Sequence, residues 1–172
     1  LCRSGEEVLA GYLRYLETYI EGQLSQLDLL VFEEDPLVSL CLSSCIACGK
    51  DVSEKGDYQL NLGLTGVGLA TVVNSICNMD RLVFRGGSRT MEELEKARRE
   101  NFRSDLVLRE DLINGDRFGC DEEEVMELAN RILRTASVVV EKHRTAFGGK
   151  YKFGLSSPYY IIDSHGLPAA FD

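Results

Sequence analysis

Apolar residues recur every three or four positions in the first part of the chain, from Ser4 to about Glu34. This period places them on one side of a helix, so the segment predicts one long amphipathic α-helix. Ser4 and Glu7 have the spacing of a capping box, in which a hydroxyl and a carboxylate accept the first free backbone N–H groups. The expected apolar stripe consists of Leu9, Tyr12, Leu13, Leu16, Tyr19, Ile20, Leu24 and Leu27.

A second helix is predicted from Asp35 to Gly49. Asp35 is a favoured N-cap, and Pro36 suits the first helical position because it has no N–H to leave unpaired. Gly49 is a natural left-handed end of the helix. This helix would carry three thiols on one side, at positions i, i+4 and i+7: Cys41, Cys45 and Cys48.

The remaining chain is mostly helical in pattern. Thr90 with Glu93, and Asp121 with Glu124, have the spacing of two further capping boxes. We expect a loop at 50–62 with a short extended piece at 58–62, helices at 63–84, 91–101, 105–113 and 122–146, and a strand at 151–163. One strand cannot pair its own backbone groups. We therefore expect residues 1–172 to be a single piece of a longer protein with a larger sheet.

Composition narrows the class of protein. The chain has 172 residues, of which 44% are hydrophobic and 27% charged, as in ordinary globular domains. Its formal net charge of −9 argues against nucleic-acid binding, which needs clustered Lys and Arg. No apolar run approaches the roughly 20 residues that span a bilayer, so we expect no membrane contact. Six Cys without a signal peptide predict a reducing, cytoplasmic location.

The spacing of Cys41, Cys45 and Cys48 is C-x3-C-x2-C, which resembles the iron–sulfur cradle of radical S-adenosylmethionine enzymes. Three thiols on one side of a helix would not wrap around a metal. Their apolar neighbours Leu42 and Ile46 favour buried, unreactive thiols instead. We favour packing, and a small iron–sulfur or zinc protein stays open as the alternative.

The segment GLTGVG, which begins at Gly63, places three glycines before a helix. Backbone N–H groups at a helix start can hold a phosphate. However, the spacing G-x2-G-x-G is neither a dinucleotide fingerprint nor a P-loop. We favour close approach of another backbone, which only glycine permits.

Five blocks, in order, closely resemble the pyruvate formate-lyase domain of glycyl radical enzymes, from about residue 25 to the end. They are PLVSLCLSSCIACGKDVSEKG, LTGVGLATVVNSICNMDRLVF, TMEELEKARRENF, RFGCDEEEVMELANRI and GGKYKFGLSS. The resemblance implies a section of a ten-stranded α/β barrel, helix-dominated in this part. In that family one loop carries a thiyl Cys, and a distant R-V-x-G-[YF] loop carries the radical Gly. Neither loop occurs here, and Cys120 does not match the thiyl position.

The resemblance also implies candidates for the substrate cavity. Thr65 stands where many family members have Gln, and a strand that includes Ser157 and Tyr159 helps to line the barrel interior in the family. A period of two places Ser157 and Tyr159 on one face of that strand. Packing against the neighbouring strand is the equally weighted alternative.

The parent protein is expected to be a cytoplasmic enzyme of anaerobic metabolism. It would cleave a C–C, C–O or C–N bond of a small polar substrate, as a lyase, a dehydratase or a formate acetyltransferase-type transferase. A radical S-adenosylmethionine activase would install its glycyl radical, and the parent would form a homodimer. The isolated chain is expected to hold no cofactor or metal and to be inactive without the remainder of the parent. A stand-alone helical interaction module is a further alternative.

Overall fold

The computed structural model describes residues 2–54, 60–146 and 148–156. Within these ranges the chain is dominated by helices and has two strands that pair with each other. The helices are α1 (Gly5–Leu27), α2 (Pro36–Cys41), α3 (Ser43–Cys48), α4 (Leu69–Met79), α5 (Met91–Arg99), α6 (Leu106–Ile113) and α7 (Glu123–Glu141). The strands are β1 (Leu60–Gly66) and β2 (Gly148–Leu155), and a π-helical segment (Asp80–Arg85) follows α4 directly.

Local capping signals are confirmed at several helix ends. The Asp35 carboxylate accepts the backbone N–H of Val38 at 3.0 Å and caps α2. Thr90 and Glu93 form both bonds of a capping box at the start of α5. Gly49 ends α3 with a φ of 66°, the left-handed conformation that glycine adopts without a Cβ penalty. These ends depend on neighbouring residues only, which is why the sequence predicts them.

The prediction of one helix from Asp35 to Gly49 is wrong. Leu42 is extended, with φ −105° and ψ 115°, and separates α2 from α3. The Ser39 hydroxyl donates to the Asp51 carboxylate at 2.7 Å and accepts the N–H of Val52 at 2.8 Å. A later loop thus binds the last turn of α2, a contact that helical periodicity does not reveal.

Three other predicted boundaries also change. Helix α1 ends at Leu27 rather than near residue 34, and α7 ends at Glu141 rather than at 146. The predicted helix at 63–84 is wrong in its first part, because residues 60–66 form β1 and α4 begins at Leu69. The predicted capping box of Asp121 and Glu124 is also wrong, because α7 begins at Glu123 and its cap position is therefore 122.

The two strands run parallel. The backbone N–H of Lys150 donates to the Asn61 side chain at 2.8 Å, and that of Ser156 donates to the Gly66 carbonyl at 3.0 Å. Residue numbers rise together along both strands, which defines a parallel register. The partner that the late strand requires is therefore present in the chain, contrary to the expectation that it lies elsewhere.

The chain divides into two compact units. The described parts of residues 15–65 and 134–154 form one unit, here called the sheet unit. Its core has the buried residues Ile20 and Leu24 from α1, Ala136, Val139 and Val140 from α7, and Tyr151 from β2. A stripe of α1 therefore packs as its apolar period predicts.

The described parts of residues 1–14, 66–133 and 155–172 form the other unit, here called the helical unit. One cluster of its buried side chains consists of Leu82, Ala97, Phe102, Leu108 and Leu112. That residues 1–172 are a single piece of a larger domain stays a prediction.

Candidate functional site

One face of the strand pair packs on the core of the sheet unit. Leu62 and Leu64 of β1, and Tyr151 and Phe153 of β2, point to this side. Tyr151 is 3% exposed, and its hydroxyl donates to the Asp28 carboxylate at 2.5 Å. Burial, followed by this hydrogen bond, raises the pKa of Tyr151 to about 12. This inner face is structural.

The other face, here called the outer face, is exposed. Because side chains alternate along a strand, the exposed positions of each strand share this face. Its members are Asn61, Gly63 and Thr65 from β1, and Lys150, Lys152 and Gly154 from β2. Parallel sheets in folded proteins are almost always covered on both faces. An uncovered face on a parallel strand pair is therefore unusual, and we expect another segment or a ligand to cover it.

Thr65 lies on this outer face near the carboxyl end of β1. The bond between Ser156 and Gly66 brings the end of β2 to the same end of the pair. Carboxyl ends of parallel strands are where α/β folds place their ligand sites. Ser157 and Tyr159 lie outside the described residues. The assignment of Thr65 to a substrate cavity stays a prediction.

Two glycines of the GLTGVG segment lie in open space. A Cβ built on Gly63 or Gly68 would meet no other atom within 4 Å. Among the described residues, the predicted close approach of another backbone is therefore not found at either position. Gly68 instead has a φ of 86° at the cap of α4, where its freedom is used for the turn from strand to helix.

Buried amides hold α4 to a later loop in the helical unit. The Asn74 side-chain oxygen accepts the N–H of Phe118 at 2.7 Å. The Asn78 amide donates to the Asn74 carbonyl at 3.0 Å, and its oxygen accepts from Arg81 at 2.9 Å. Arg81 also donates to the Asp111 carbonyl at 2.6 Å. These bonds position α4, which follows β1 directly. Sequence reasoning missed this network because its partners are far apart in the chain.

The helical unit also contains a cavity of about 890 Å³ rich in charged side chains. Arg131 donates to Glu6 at 2.8 Å and lowers the pKa of that carboxyl. Arg85 bonds both Asp80 and Glu124, the latter at 2.8 Å. The acids at these points already have arginine partners, so they are not free to act as bases.

Cys77 lines the same cavity and is half-buried. Burial, and then the negative charge of Asp116, raise the pKa of this thiol. A raised pKa keeps the sulfur protonated at neutral pH, and the thiol is a poor nucleophile. Neither the paired acids nor this thiol make the cavity a catalytic site.

The structure separates the three predicted metal-site cysteines. Cys41 is exposed, Cys45 is buried and Cys48 is half-buried. The break at Leu42 puts Cys41 on another helix, so the prediction that all three share one helix side is wrong. The packing interpretation is correct for Cys45 and wrong for Cys41. In the part of the chain that the structure describes, no group of three or more His, Cys, Asp or Glu is arranged to hold a metal.

Comparison with known proteins gives consistent matches. A family model described as pyruvate formate lyase-like matches residues 6–160. The fold is similar to that of a glycerol-bound, B12-independent glycerol dehydratase from Clostridium butyricum, with 25% identity and a TM-score of 0.75 over 89% of this chain. The chain spans only 20% of that structure.

Two further solved structures are similar over 90% of this chain. Hydroxyproline dehydratase from Clostridioides difficile, with trans-4-hydroxy-L-proline bound, has 24% identity, a TM-score of 0.76 and 20% of its own chain covered. A protein of 1,2-propanediol dehydration in Roseburia inulinivorans has 25% identity, a TM-score of 0.71 and 21% covered. These matches confirm the helix-dominated α/β class.

Among the described residues, no helix is both long and apolar enough to cross a bilayer.

Proposed function

This chain belongs to the pyruvate formate-lyase-like family, and we propose that it is a section of a longer glycyl radical enzyme. In this proposal it supplies two neighbouring strands of the barrel wall and the helices around them. The solved structures that it matches are much longer, since this chain covers only 20–21% of them. The 172 residues contain no R-V-x-G-[YF] segment that could store the radical. We therefore assign no radical step to this chain.

The open outer face of the parallel strand pair carries this proposal. A two-stranded sheet is marginal in water, and a parallel one is normally covered on both sides. Here the inner face has a core and the outer face has none within the described residues. The remaining strands of a barrel would enclose the outer face and turn it into an interior wall.

A second surface supports the same conclusion. Eight of the exposed large apolar side chains of the sheet unit fall within residues 29–46, and Val31 reaches 90% exposure. This surface, here called the 29–46 surface, consists of Leu29, Leu30, Val31, Phe32, Leu37, Val38, Leu40 and Ile46. So many exposed apolar side chains in one short segment are expected where another protein segment packs. The remainder of the parent chain is the partner that we propose.

The parent would break a C–C, C–O or C–N bond of a small polar substrate by radical chemistry. Of these we favour C–O cleavage, because two of the similar structures are described as dehydratases and a third by 1,2-propanediol dehydration. A formate acetyltransferase reaction is the less favoured alternative. In this proposal a radical S-adenosylmethionine activase installs the glycyl radical, and the parent is an anaerobic, cytoplasmic homodimer.

Within the parent, Thr65 would face the substrate cavity, and Ser157 and Tyr159 would extend the same wall. Thr65 is supported by its exposure at the carboxyl end of β1. Replacing Thr65 by Val removes the hydroxyl and keeps the shape. We expect Thr65→Val to raise KM and Thr65→Ser to restore it, because serine keeps the hydroxyl. A KM for Thr65→Val equal to that of the wild type would contradict a place for Thr65 in the cavity.

The decisive experiment compares the full-length parent with the isolated chain. Both are treated anaerobically with the activase, and electron paramagnetic resonance and substrate turnover are recorded. We expect an organic radical and turnover in the parent, and neither in the 172-residue chain. A radical or turnover in the isolated chain, or a parent that accepts no radical, would refute the proposal.

A stand-alone helical interaction module is the second candidate, and the 29–46 surface is the observation that favours it. The barrel section and the independent module predict different binding partners. A section of a barrel should form a stable complex with the remainder of the parent, whereas an independent module should not. Analytical ultracentrifugation of the mixed, purified pieces separates them. Metal analysis of the same sample tests the iron–sulfur or zinc alternative at Cys41, Cys45 and Cys48.

A further inference from the structure

The outer face carries two lysines without an acidic partner. Lys150 and Lys152 are both exposed there, and no carboxylate among the described residues lies within ion-pair distance of either. The chain has 28 acidic and 19 basic residues, so acids are abundant. Arg85 and Arg131, by contrast, are paired with carboxylates in the helical unit. The outer face is thus a locally positive surface on an acidic protein.

The hydrogen-bonding groups beside the lysines are also suited to donate. The Asn61 side-chain oxygen accepts the backbone N–H of Lys150 at 2.8 Å, which leaves the NH2 of this amide as a donor. Lys150 and Lys152 are two residues apart on a parallel strand, which corresponds to roughly 6.6 Å. Their flexible stems allow both ammonium groups to converge on one ligand. Two ammonium groups, an NH2 and the Thr65 hydroxyl form a surface rich in donors.

Two glycines lie on this face. Gly63 and Gly154 lie on the outer face, and a Cβ built on either would meet no atom within 4 Å. Neither has the positive φ that would require glycine. The described chain therefore gives no packing or conformational reason for glycine here. Glycine inside a strand often marks close approach of a ligand or of another backbone.

We propose that the outer face binds the carboxylate group of the parent enzyme's substrate. Lys150 and Lys152 supply the positive charge, and Asn61 and Thr65 donate hydrogen bonds. Because Gly63 and Gly154 have no side chains, the rest of the ligand can lie against the strands there. A carboxylate fits because it only accepts hydrogen bonds, on two oxygens. This inference rests on the proposed function and narrows its small polar substrate to a carboxylic acid. A carboxylic acid substrate would distinguish the parent from enzymes that act on neutral diols.

The test uses the 15N-labelled chain and two probes of the same shape, lactate and lactamide, which differ in charge. We expect lactate to shift the amide signals of the outer face in a saturable manner and lactamide to leave them unchanged. Lys150→Gln and Lys152→Gln should each weaken lactate binding roughly two- to fivefold, equal to about 0.4–1 kcal/mol for an exposed ion pair. Lys142→Gln removes the same charge from the end of α7, off the sheet, and should have no effect.

Three results would overturn the inference. They are the absence of a saturable shift with lactate, equal shifts with lactate and lactamide, and a loss of binding in Lys142→Gln as large as in the strand variants. In the full-length parent, Lys152→Gln should raise KM for the acid substrate. If it instead lowers the free energy of unfolding and leaves KM unchanged, the lysines pair with carboxylates of the parent. Lactate binding to the chain requires no radical, so failure here is distinguishable from failure of the proposed function.

Discussion

The hydrogen bond between Tyr151 and Asp28 offers the sharpest test of the sheet unit. Tyr151→Phe removes the hydroxyl that donates to Asp28 at 2.5 Å and keeps the ring in the core. A hydrogen bond to a charged group contributes about 1.5–3 kcal/mol to stability. Asp28 is exposed, so water can hydrate its carboxylate after the substitution. We therefore expect the lower end, a loss of about 1.5 kcal/mol in the free energy of unfolding.

The same pair predicts a pH dependence. Burial and Asp28 raise the pKa of Tyr151 from its usual 10 to about 12 in the folded chain. The stabilisation is therefore complete below pH 10 and is lost as pH rises from 10 through 12, because the unfolded chain ionises first. One proton changes stability by at most about 1.4 kcal/mol per pH unit. The difference in the free energy of unfolding between the wild type and Tyr151→Phe should become smaller as pH rises from 10 to 12.

Urea unfolding at neutral pH and in the alkaline window measures both effects. Tyr15→Phe is the matched control, since Tyr15 is 66% exposed on α1, and it should leave stability unchanged. Equal stability of wild type and Tyr151→Phe at neutral pH, or a difference that does not narrow on alkalisation, would refute the reasoning.

Substitutions at Gly115 in the helical unit and at Leu24 in the sheet unit test packing by thermal or urea unfolding, each with a control variant. Gly115→Ala should cost about 1–3 kcal/mol, because its Cβ would lie 2.5 Å from the Asn78 side-chain oxygen. Gly22→Ala, at an exposed position of α1 with no atom within 4 Å, should instead stabilise by up to about 1 kcal/mol. Leu24→Ala should cost about 2–5 kcal/mol in the sheet unit, whereas Leu37→Ala, 78% exposed, should cost little. A harmless Gly115→Ala, or equal costs at Leu24 and Leu37, would contradict the packing described.

Much of the helical structure could be predicted because its signals are local. The capping box of Thr90 and Glu93 and the left-handed Gly49 each depend on residues within one turn. The apolar period predicts the burial of Leu24 in the same way. Tyr19 belongs to the same predicted stripe but is exposed and stacks on Tyr15, because burial also depends on what lies opposite the helix.

The candidate site was only partly predictable. Thr65 was selected from the family resemblance, and its exposure on a strand became visible only with β1 in place. The lysines of the outer face were missed although the signal was present: Lys150-Tyr151-Lys152-Phe153 alternates polar and apolar residues. Alternation shows that a strand has two unlike faces. It does not show whether the polar face meets water, a partner or a ligand.

By itself the sequence determined the helix-dominated class, several of the helix ends and the family, because capping residues, apolar periods and ordered motifs act over short stretches. Tertiary structure alone decided that the strand continues through residues 63–66 and pairs with β2, and that α2 stops at Cys41. The physical reason is the same in both cases. These features depend on hydrogen bonds to distant residues, such as Asn61 with Lys150, which no local pattern contains.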